Sequence, residues 1–324
     1  MSTAQAQASL PALLDRADEY TRAGDAKAAM SFYQAALQLA RTMPQFDPRT
    51  VERLRGAQAF IQQRASEFQY ALDSALADFQ PENAAAETRL THSLEMLKGA
   101  REIHPQQPKV FYYPYLAQRQ FFERDEFDWV PDLQAATPAI REELLGLLDE
   151  GADFRPYVED EPNRPRREFH HLNNDPSWSA LYLWRDSETV AEIAERCPRT
   201  MEALSKVPLT HIGKRTPAAL FSRLEPGAYI PPHNGMLNCR LICHLPLIVP
   251  KGCWLRVGNE TREWEEGKML IFDDSIEHEA RNPSGELRII LLFDVWRPEL
   301  TETERQAISA IFDAIDNFQP LPDA

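Results

Sequence analysis

Two histidines, His233 and His278, stand in contexts that favour metal binding. His233 follows two prolines and precedes Asn-Gly, whereas His278 follows an Asp-Asp-Ser turn and precedes another predicted strand. In the usual non-heme iron site, two histidines and one carboxylate occupy one face of the metal and leave the other positions open. That carboxylate normally lies two residues after the first histidine, where this chain has Gly235. The sequence therefore predicts either no such site or a variant in which two histidines suffice.

An arginine within an apolar stretch is the second feature that indicates a binding or catalytic role. Arg288 lies between Leu287 and Ile289, and a charge in such a place needs a buried partner. A bound carboxylate, such as one end of an oxoacid, would match its planar and permanently charged guanidinium. Asp274 lies four residues before His278. It is predicted either to hold a metal-bound water or a histidine nitrogen without touching the metal, or simply to cap the turn.

Short apolar runs, separated by proline and glycine, fill the chain from residue 219 onward. Runs of this length bounded by turn residues are typical of strands. Many short strands predict a sandwich or a double-sheet jelly roll. The charged, proline-containing stretch 154–167 predicts a loop. The predicted strands are 219–224, 239–249, 254–257, 268–272 and 287–295.

Helical patterns fill the first hundred residues. Apolar residues recur at helical spacing on both sides of Gly24, which predicts a helical hairpin over residues 8–43. The hairpin is similar to one tetratricopeptide unit, and because such units normally stack in threes, it must pack on something else. One interpretation is a helical cap on the following domain, and the other is a docking module for a protein partner or a substrate. The residues that carry this similarity are Ala17, Tyr20, Gly24, Ala28, Tyr33 and Ala36.

The whole pattern predicts an α+β chain. An all-α, tetratricopeptide-like region, residues 1–104, precedes a jelly-roll domain, residues 105–324, and a length of 324 residues suits this division. The net charge of −15 argues against nucleic acid or an anionic membrane as a partner, because both need basic patches. The chain shows no long apolar stretch and no signal peptide, and its four cysteines fit reduced thiols. A cytoplasmic protein without a membrane span is therefore expected.

The stretch from Ser222 to Leu300 resembles the catalytic core of the aspartyl/asparaginyl β-hydroxylase family. The motifs form a dense match, and with upstream segments such as Phe111-Tyr112-Tyr113-Pro114 the resemblance covers roughly residues 107–300. The first hundred residues lie outside it. The matching motifs include His233-Asn234-Gly235, Asn238-Cys239-Arg240-Leu241, His244-Leu245, Trp264-Glu265-Glu266-Gly267-Lys268, Ile271-Phe272-Asp273-Asp274-Ser275, Glu277-His278-Glu279 and Asp294-Val295-Trp296.

This resemblance implies a double-stranded β-helix, a cupin-like form of the jelly roll, that holds Fe(II). It implies that His233 and His278 bind the metal, with water in the place that Gly235 leaves open. The implied reaction uses dioxygen and 2-oxoglutarate to hydroxylate a C–H bond. The implied target is the β-carbon of an Asp- or Asn-type residue in a peptide or a small molecule.

The family match also assigns residues to the co-substrate. Arg288 and the Ser222 hydroxyl are implied to hold the far carboxylate of 2-oxoglutarate, and His244 is implied to contact the same molecule. Trp184 matches a residue of the pocket wall. Together with the two histidines, these residues make up the predicted catalytic and co-substrate-binding set.

The chain departs from the family pattern at Ile242. Members commonly have a basic residue two positions before His244. The loss of that charge predicts weaker binding of 2-oxoglutarate than in other members. Because alternate residues of a strand share a face, a second interpretation is that Arg240 lies on the same face as Ile242 and supplies part of the charge. A third interpretation is that Ile242 lines an apolar part of the substrate pocket.

Two other classes of function stay open on the residues alone. One is a non-catalytic, cupin-like metal-binding module, and the other is a scaffold whose N-terminal helices bind a partner. Retention of both histidines, Ser222 and Arg288 argues against the first. The substrate itself stays undecided between a peptide, a free amino acid and a small amide, while the lack of a membrane segment disfavours a lipid acyl chain.

Overall fold

A computed structural model of the chain describes residues 9–160 and 169–318. Residues 1–8, for which no signal peptide is predicted, and residues 161–167 of the predicted loop lie outside the described residues. The chain divides into two compact units, Met1–Ala100 and Arg101–Ala324. None of the helices formed by the described residues combines the length and the apolar character needed to cross a bilayer.

The first unit consists of helices, as the apolar periodicity predicts. Its first three helices share a small core that includes Leu14, Ala17, Ala29, Tyr33 and Ala57. Each helix begins at a polar N-cap whose side chain accepts a hydrogen bond from the backbone of the first turn. The tetratricopeptide-like character of the hairpin stays a prediction. The helices are α1 (Leu10–Arg22), α2 (Ala26–Ala40), α3 (Pro48–Leu76) and α4 (Ala84–Leu97).

The second unit contains twelve strands and five α-helices among its described residues. The helices are α5 (Val130–Ala135), α6 (Thr137–Asp149), α7 (Ala191–Ala194), α8 (Pro198–Leu204) and α9 (Glu302–Asn317). The strands are β1 (Phe121–Phe122), β2 (Arg155–Pro156), β3 (Trp178–Arg185), β4 (Glu188–Thr189), β5 (Ala219–Leu224), β6 (Tyr229–His233), β7 (Arg240–Ile248), β8 (Trp254–Val257), β9 (Glu260–Glu263), β10 (Leu270–Phe272), β11 (His278–Arg281) and β12 (Arg288–Trp296).

These strands form two antiparallel sheets. The larger sheet has the order β1-β10-β7-β12-β5-β3-β2, with β4 paired to β3, and the smaller has the order β6-β11-β8-β9. From β5 to β12 the chain alternates between the two sheets, except for the β8–β9 hairpin. This alternation is that of a jelly roll, so the predicted all-α region followed by a two-sheet β domain is confirmed at the level of architecture.

The larger sheet is covered on both faces. Its outer face packs against helices α5, α6 and α8 through residues such as Leu133, Leu144 and Leu204. Its inner face packs against the smaller sheet, where Ile242 and Phe272 meet residues such as Leu255 and Val257. Strands buried on both faces carry nearly continuous apolar sequence. For this reason β7 and β12 can be predicted from the sequence as apolar runs.

Candidate functional site

A cavity of about 810 Å³ lies between the two sheets of the second unit. Each sheet contributes a different chemistry to it. The smaller sheet contributes His233 from the end of β6 and His278 from the start of β11, whereas the larger sheet contributes Ser222, His244 and Arg288. The fold therefore brings these predicted residues to one space, although they are spread over more than sixty positions of the chain.

The two histidines are direct cross-strand partners. His278 pairs with His233 in the antiparallel register of β11 and β6, and their ring centroids lie 4.1 Å apart. In each ring Nδ1 faces a backbone carbonyl two residues earlier, Pro231 O at 2.8 Å and Ile276 O at 3.0 Å. Because a carbonyl oxygen only accepts hydrogen bonds, Nδ1 must carry the proton. Each Nε2 is then left with a lone pair that could bind a metal.

Burial keeps both imidazoles neutral. It lowers the pKa of His233 to about 3, with the neighbouring His278 as a second cause. Burial likewise lowers the pKa of His278 to about 4. A metal ion binds the neutral form of imidazole, so these rings need lose no proton to bind one at neutral pH.

Asp274 occupies the place where a third protein ligand would begin. A Cβ atom built at Gly235 would lie 2.0 Å from Asp274 Oδ2 and 2.2 Å from its Cγ. Oδ2 pairs with Arg240 at 3.2 Å, whereas Oδ1 is buried without a protein hydrogen-bond partner. Within residues 9–160 and 169–318, no group of three His, Cys, Asp or Glu side chains is arranged to hold a metal. A water bound to the metal would give Oδ1 the partner that it lacks.

Arg288 lies at the inner end of the cavity without a counter-charge. Its side chain is 1% exposed, and its Nη1 donates to the backbone oxygen of Ser222 at 3.2 Å and to Ser222 Oγ at 3.4 Å. No carboxylate among the described residues pairs with it, and its Nε has no hydrogen-bond partner. Burial lowers the pKa of Arg288 to about 9. A bound carboxylate would supply the missing negative charge, which fits one end of an oxoacid.

His244 and two tryptophans complete the surroundings of Arg288. The Trp264 indole stacks under the guanidinium at 4.8 Å and donates from Nε1 to His244 Nδ1 at 3.3 Å. Trp178 donates from Nε1 to Ser222 Oγ at 3.3 Å. Burial holds the pKa of His244 well below its usual range. The structure thus adds Trp178 and Trp264 to the predicted set, and of these two only Trp264 lies in a motif quoted above from the sequence.

Trp184 does not reach the cavity. It packs with the cluster on the outer face of the larger sheet, so its predicted place in the pocket wall needs correction. The register of β3 against β5 shifts between Tyr182, which faces Leu220, and Trp184, which faces Ala219. This bulge moves Trp184 to the opposite face of the strand. Trp178, six residues earlier on β3, lines the cavity instead.

Arg240 forms ion pairs with two carboxylates. Its Nη2 lies 3.2 Å from Asp274 Oδ2 and its Nη1 lies 3.3 Å from Asp294 Oδ2. These charges raise the pKa of Arg240 although burial opposes them. Ile242, two residues along β7, is 7% exposed and packs in the apolar cluster between the sheets. The structure therefore favours the interpretation in which Ile242 lines an apolar wall and Arg240 does not replace the missing basic residue.

Comparison with known proteins identifies one family. The profile described as aspartyl/asparaginyl beta-hydroxylase matches residues 134–298. Human aspartyl/asparaginyl beta-hydroxylase is 39% identical over 184 residues, which cover 56% of this chain and 23% of that protein. The ornithine lipid ester-linked acyl 2-hydroxylase of Rhizobium tropici is 33% identical over 189 residues, which cover 57% of this chain and 63% of that protein.

A third relative and the solved structures complete the comparison. Aspartate beta-hydroxylase domain-containing protein 2 of Xenopus tropicalis is 34% identical over 64% of this chain and 55% of that protein. The chain thus spans less than two thirds of each of these relatives. Among solved structures, AviO1 of Streptomyces viridochromogenes is 16% identical with a TM-score of 0.30, over 53% of this chain and 87% of AviO1. The jelly-roll assignment rests on the strand order of this chain and not on that score.

Proposed function

Because the chain belongs to the aspartyl/asparaginyl β-hydroxylase family, we propose that it is an Fe(II)- and 2-oxoglutarate-dependent dioxygenase that hydroxylates a C–H bond. The observation that carries this proposal is the pairing, across one cavity, of two neutral histidines with a buried arginine that has no carboxylate partner among the described residues. A metal alone would leave Arg288 uncompensated, and an oxoacid alone would leave the histidines unused.

In this proposal each residue has a definite task. His233 and His278 hold Fe(II) through Nε2, and their Nδ1 bonds to backbone carbonyls fix the orientation of the rings. Asp274 Oδ1, which has no protein hydrogen-bond partner, would accept a hydrogen bond from a water on the metal. The iron, with 2-oxoglutarate and dioxygen bound, supplies the oxidant for the C–H bond. In the overall balance one oxygen atom enters the substrate and the other enters succinate, and carbon dioxide is released.

The larger sheet holds the co-substrate. Arg288 binds the far carboxylate of 2-oxoglutarate through charge-assisted hydrogen bonds, and the Ser222 hydroxyl shares that carboxylate. Trp178 and Trp264 fix Ser222 and His244 and shield the pocket from bulk water. In such a desolvated pocket the charge of Arg288 acts more strongly than it would in water.

The substrate expected from the family is an Asp- or Asn-type residue in a peptide or a small molecule, hydroxylated at its β-carbon. The Rhizobium tropici relative, by its name, acts instead on an acyl group of a lipid. We further propose that the protein works in the reducing cytoplasm, which four buried free cysteines support. The N-terminal helices stay a candidate docking module, which a pull-down with and without residues 1–100 would test.

The test uses the full chain with Fe(II) and 2-oxoglutarate under anaerobic conditions. The expected result is the weak visible charge-transfer band of an iron–oxoacid chelate, followed in air by conversion of 2-oxoglutarate to succinate. His233→Ala should lose both signals. A protein that binds metal but shows neither the band nor succinate is a non-catalytic metal-binding module, and the proposal then fails.

A further inference from the structure

We infer that the group this protein brings to the metal is an uncharged aliphatic chain and not the charged side chain of Asp. This inference rests on the proposed function, because it concerns the substrate of the same cavity. It is drawn from the side chains around the metal centre that the co-substrate does not need.

The wall next to the metal centre is apolar. Leu220, Ile242, Ile290 and Leu292, termed here the apolar wall, come from three adjoining strands and line the cavity. Ile242 faces Phe272 across the strand pair β7–β10, and the Phe272 ring lies 5.6 Å from the ring of His278. A single side chain, that of Phe272, therefore separates the apolar wall from the proposed metal ligand His278.

Part of this apolar surface still lacks a partner. Leu292 is partly exposed and packs against the cluster between the sheets. Across the register it faces Leu220 on one side and His244 on the other. An exposed apolar side chain inside a cavity gains stability when an apolar ligand covers it.

Aromatic rings lie near the other side of the metal centre. The ring of Tyr157 stacks on Trp178 with centroids 4.0 Å apart and an interplanar angle of 15°. Phe169 meets His233 edge-on at 5.1 Å. Tyr157, Phe169 and Tyr182 all line the cavity. A group that approaches the metal thus passes between aliphatic and aromatic surfaces.

Among the described residues that line the cavity, only two exposed lysines are left to pair with a second carboxylate. Six Lys and Arg side chains line it among the described residues. Arg185 pairs with Glu159 at 2.8 Å and Arg215 pairs with Asp316 at 2.6 Å. The remaining four are Arg240, Arg288, and the exposed Lys109 and Lys214 at the rim. Of these, Arg288 binds the oxoacid in the proposed function.

The ion pairs of Arg240 further disfavour the binding of a substrate carboxylate in the buried part of the cavity. Its single positive charge lies between Asp274 and Asp294, so the three groups together carry one net negative charge when both acids are ionised. A carboxylate brought into this buried region would be desolvated beside like charge. An aliphatic group meets no such penalty, and any polar head group can stay at the rim near Lys109 and Lys214.

The experiment compares near-isosteric probes on the full chain loaded anaerobically with Fe(II) and 2-oxoglutarate. The probes are acetyl-Gly-X-Gly-amide with Leu, Asn or Asp as X, and N-hexanoylglycinamide as the acyl-chain source of the same chemistry. Calorimetry measures the affinity of each probe, and mass spectrometry after exposure to air measures the gain of one oxygen. The Leu peptide or the hexanoyl probe should bind at least about tenfold more tightly than the Asp peptide and gain the oxygen.

The apolar wall offers matched variants. Ile242→Arg should reverse the preference between the Leu and Asp peptides, whereas Ile242→Leu should keep it. Leu292→Lys, at a partly exposed position, serves the same purpose if Ile242→Arg does not fold.

The possible failures are distinguishable. Equal or tighter binding of the Asp peptide, its exclusive oxygenation, or no binding of either aliphatic probe overturns the inference while the chelate band still forms. Absence of the chelate band itself overturns the proposed function instead.

Discussion

The carboxylate of Asp274 fills the space in which a side chain at residue 235 would begin. An ideal Cβ at Gly235 would overlap both carboxylate oxygens, at 2.0 Å and 2.7 Å. The backbone amide of Gly235 also donates to the carbonyl of Asp274 at 2.6 Å. The cavity thus contains a carboxylate as well as the two histidines. This carboxylate belongs to Asp274, in the turn before β11, and it forms an ion pair with Arg240.

Gly235→Asp should therefore weaken the metal site and not complete it. The new side chain collides with Asp274, which is buried and held by its ion pair with Arg240. Loss of such supporting geometry typically costs about 10- to 100-fold in metal affinity. Fe(II) affinity, measured anaerobically by competition with a chelator, is the readout.

The matching double variant, Gly235→Asp with Asp274→Gly, removes the collision. It should bind Fe(II) more tightly than Gly235→Asp alone. If Gly235→Asp by itself binds Fe(II) more tightly than the wild type, the spatial relationship between these two residues is not what limits the site.

His233→Ala and His278→Ala should each abolish succinate formation with Fe(II) in excess. Only these two protein ligands are available among the described residues, so the loss of either leaves a single imidazole. The control is His211→Ala, an exposed histidine outside the cavity, which should retain activity. Near-normal turnover in either site variant would disprove the metal assignment.

Arg288→Ala should raise the 2-oxoglutarate concentration needed for half-maximal turnover. Charge-assisted hydrogen bonds contribute roughly 1.5–3 kcal/mol, which corresponds to about a 10- to 100-fold shift. Ser222→Ala should shift it less, because the hydroxyl shares a carboxylate that Arg288 still binds. Arg281→Ala, an exposed arginine on β11, is the control. An unchanged co-substrate dependence in Arg288→Ala would show that the oxoacid binds elsewhere.

Ile242→Arg should lower turnover and leave the 2-oxoglutarate affinity no tighter than in the wild type. The new guanidinium would enter an apolar wall in which the described carboxylates nearby are already paired with Arg240. Ile242→Leu keeps volume and polarity and should retain turnover. Titration of 2-oxoglutarate against all three proteins is the measurement. Tighter binding with intact turnover in Ile242→Arg would mean that this position faces the oxoacid.

Asp273→Ala should destabilise the second unit. Asp273 pairs with Arg297 at 2.8 Å, and both side chains are completely shielded from solvent. Removal of the acid leaves Glu299, which is partly exposed, as the one carboxylate partner of the guanidinium among the described residues, and breaking a buried pair typically costs about 3–5 kcal/mol. Urea denaturation measures the loss, with Asp313→Ala on the surface of α9 as the control. A loss no larger than that of the control would mean that the pair contributes little.

The local pattern of apolar residues was enough to predict much of the fold. The strands at 219–224 and 254–257 are confirmed at both ends, and the predicted strands at 239–249 and 287–295 differ from β7 and β12 by one residue at each end. These strands are legible because burial on both faces demands continuous apolar sequence. β3 was not predicted, although most of its residues are buried and its tryptophan and tyrosine residues favour a strand.

The sequence alone was sufficient to identify the family, through its resemblance to the family motifs, and to predict a helical region followed by short strands. The same resemblance singled out His233, His278, Arg288 and Ser222, which the fold gathers in one cavity. The tertiary structure alone decided three points: the bulge that turns Trp184 away from the cavity, the ion pairs that commit Arg240, and the occupation of the space at Gly235 by Asp274. Each depends on which side chain arrives from a distant strand. Periodicity along one strand predicts the face on which a residue lies, but only the packed sheets determine what that residue meets there.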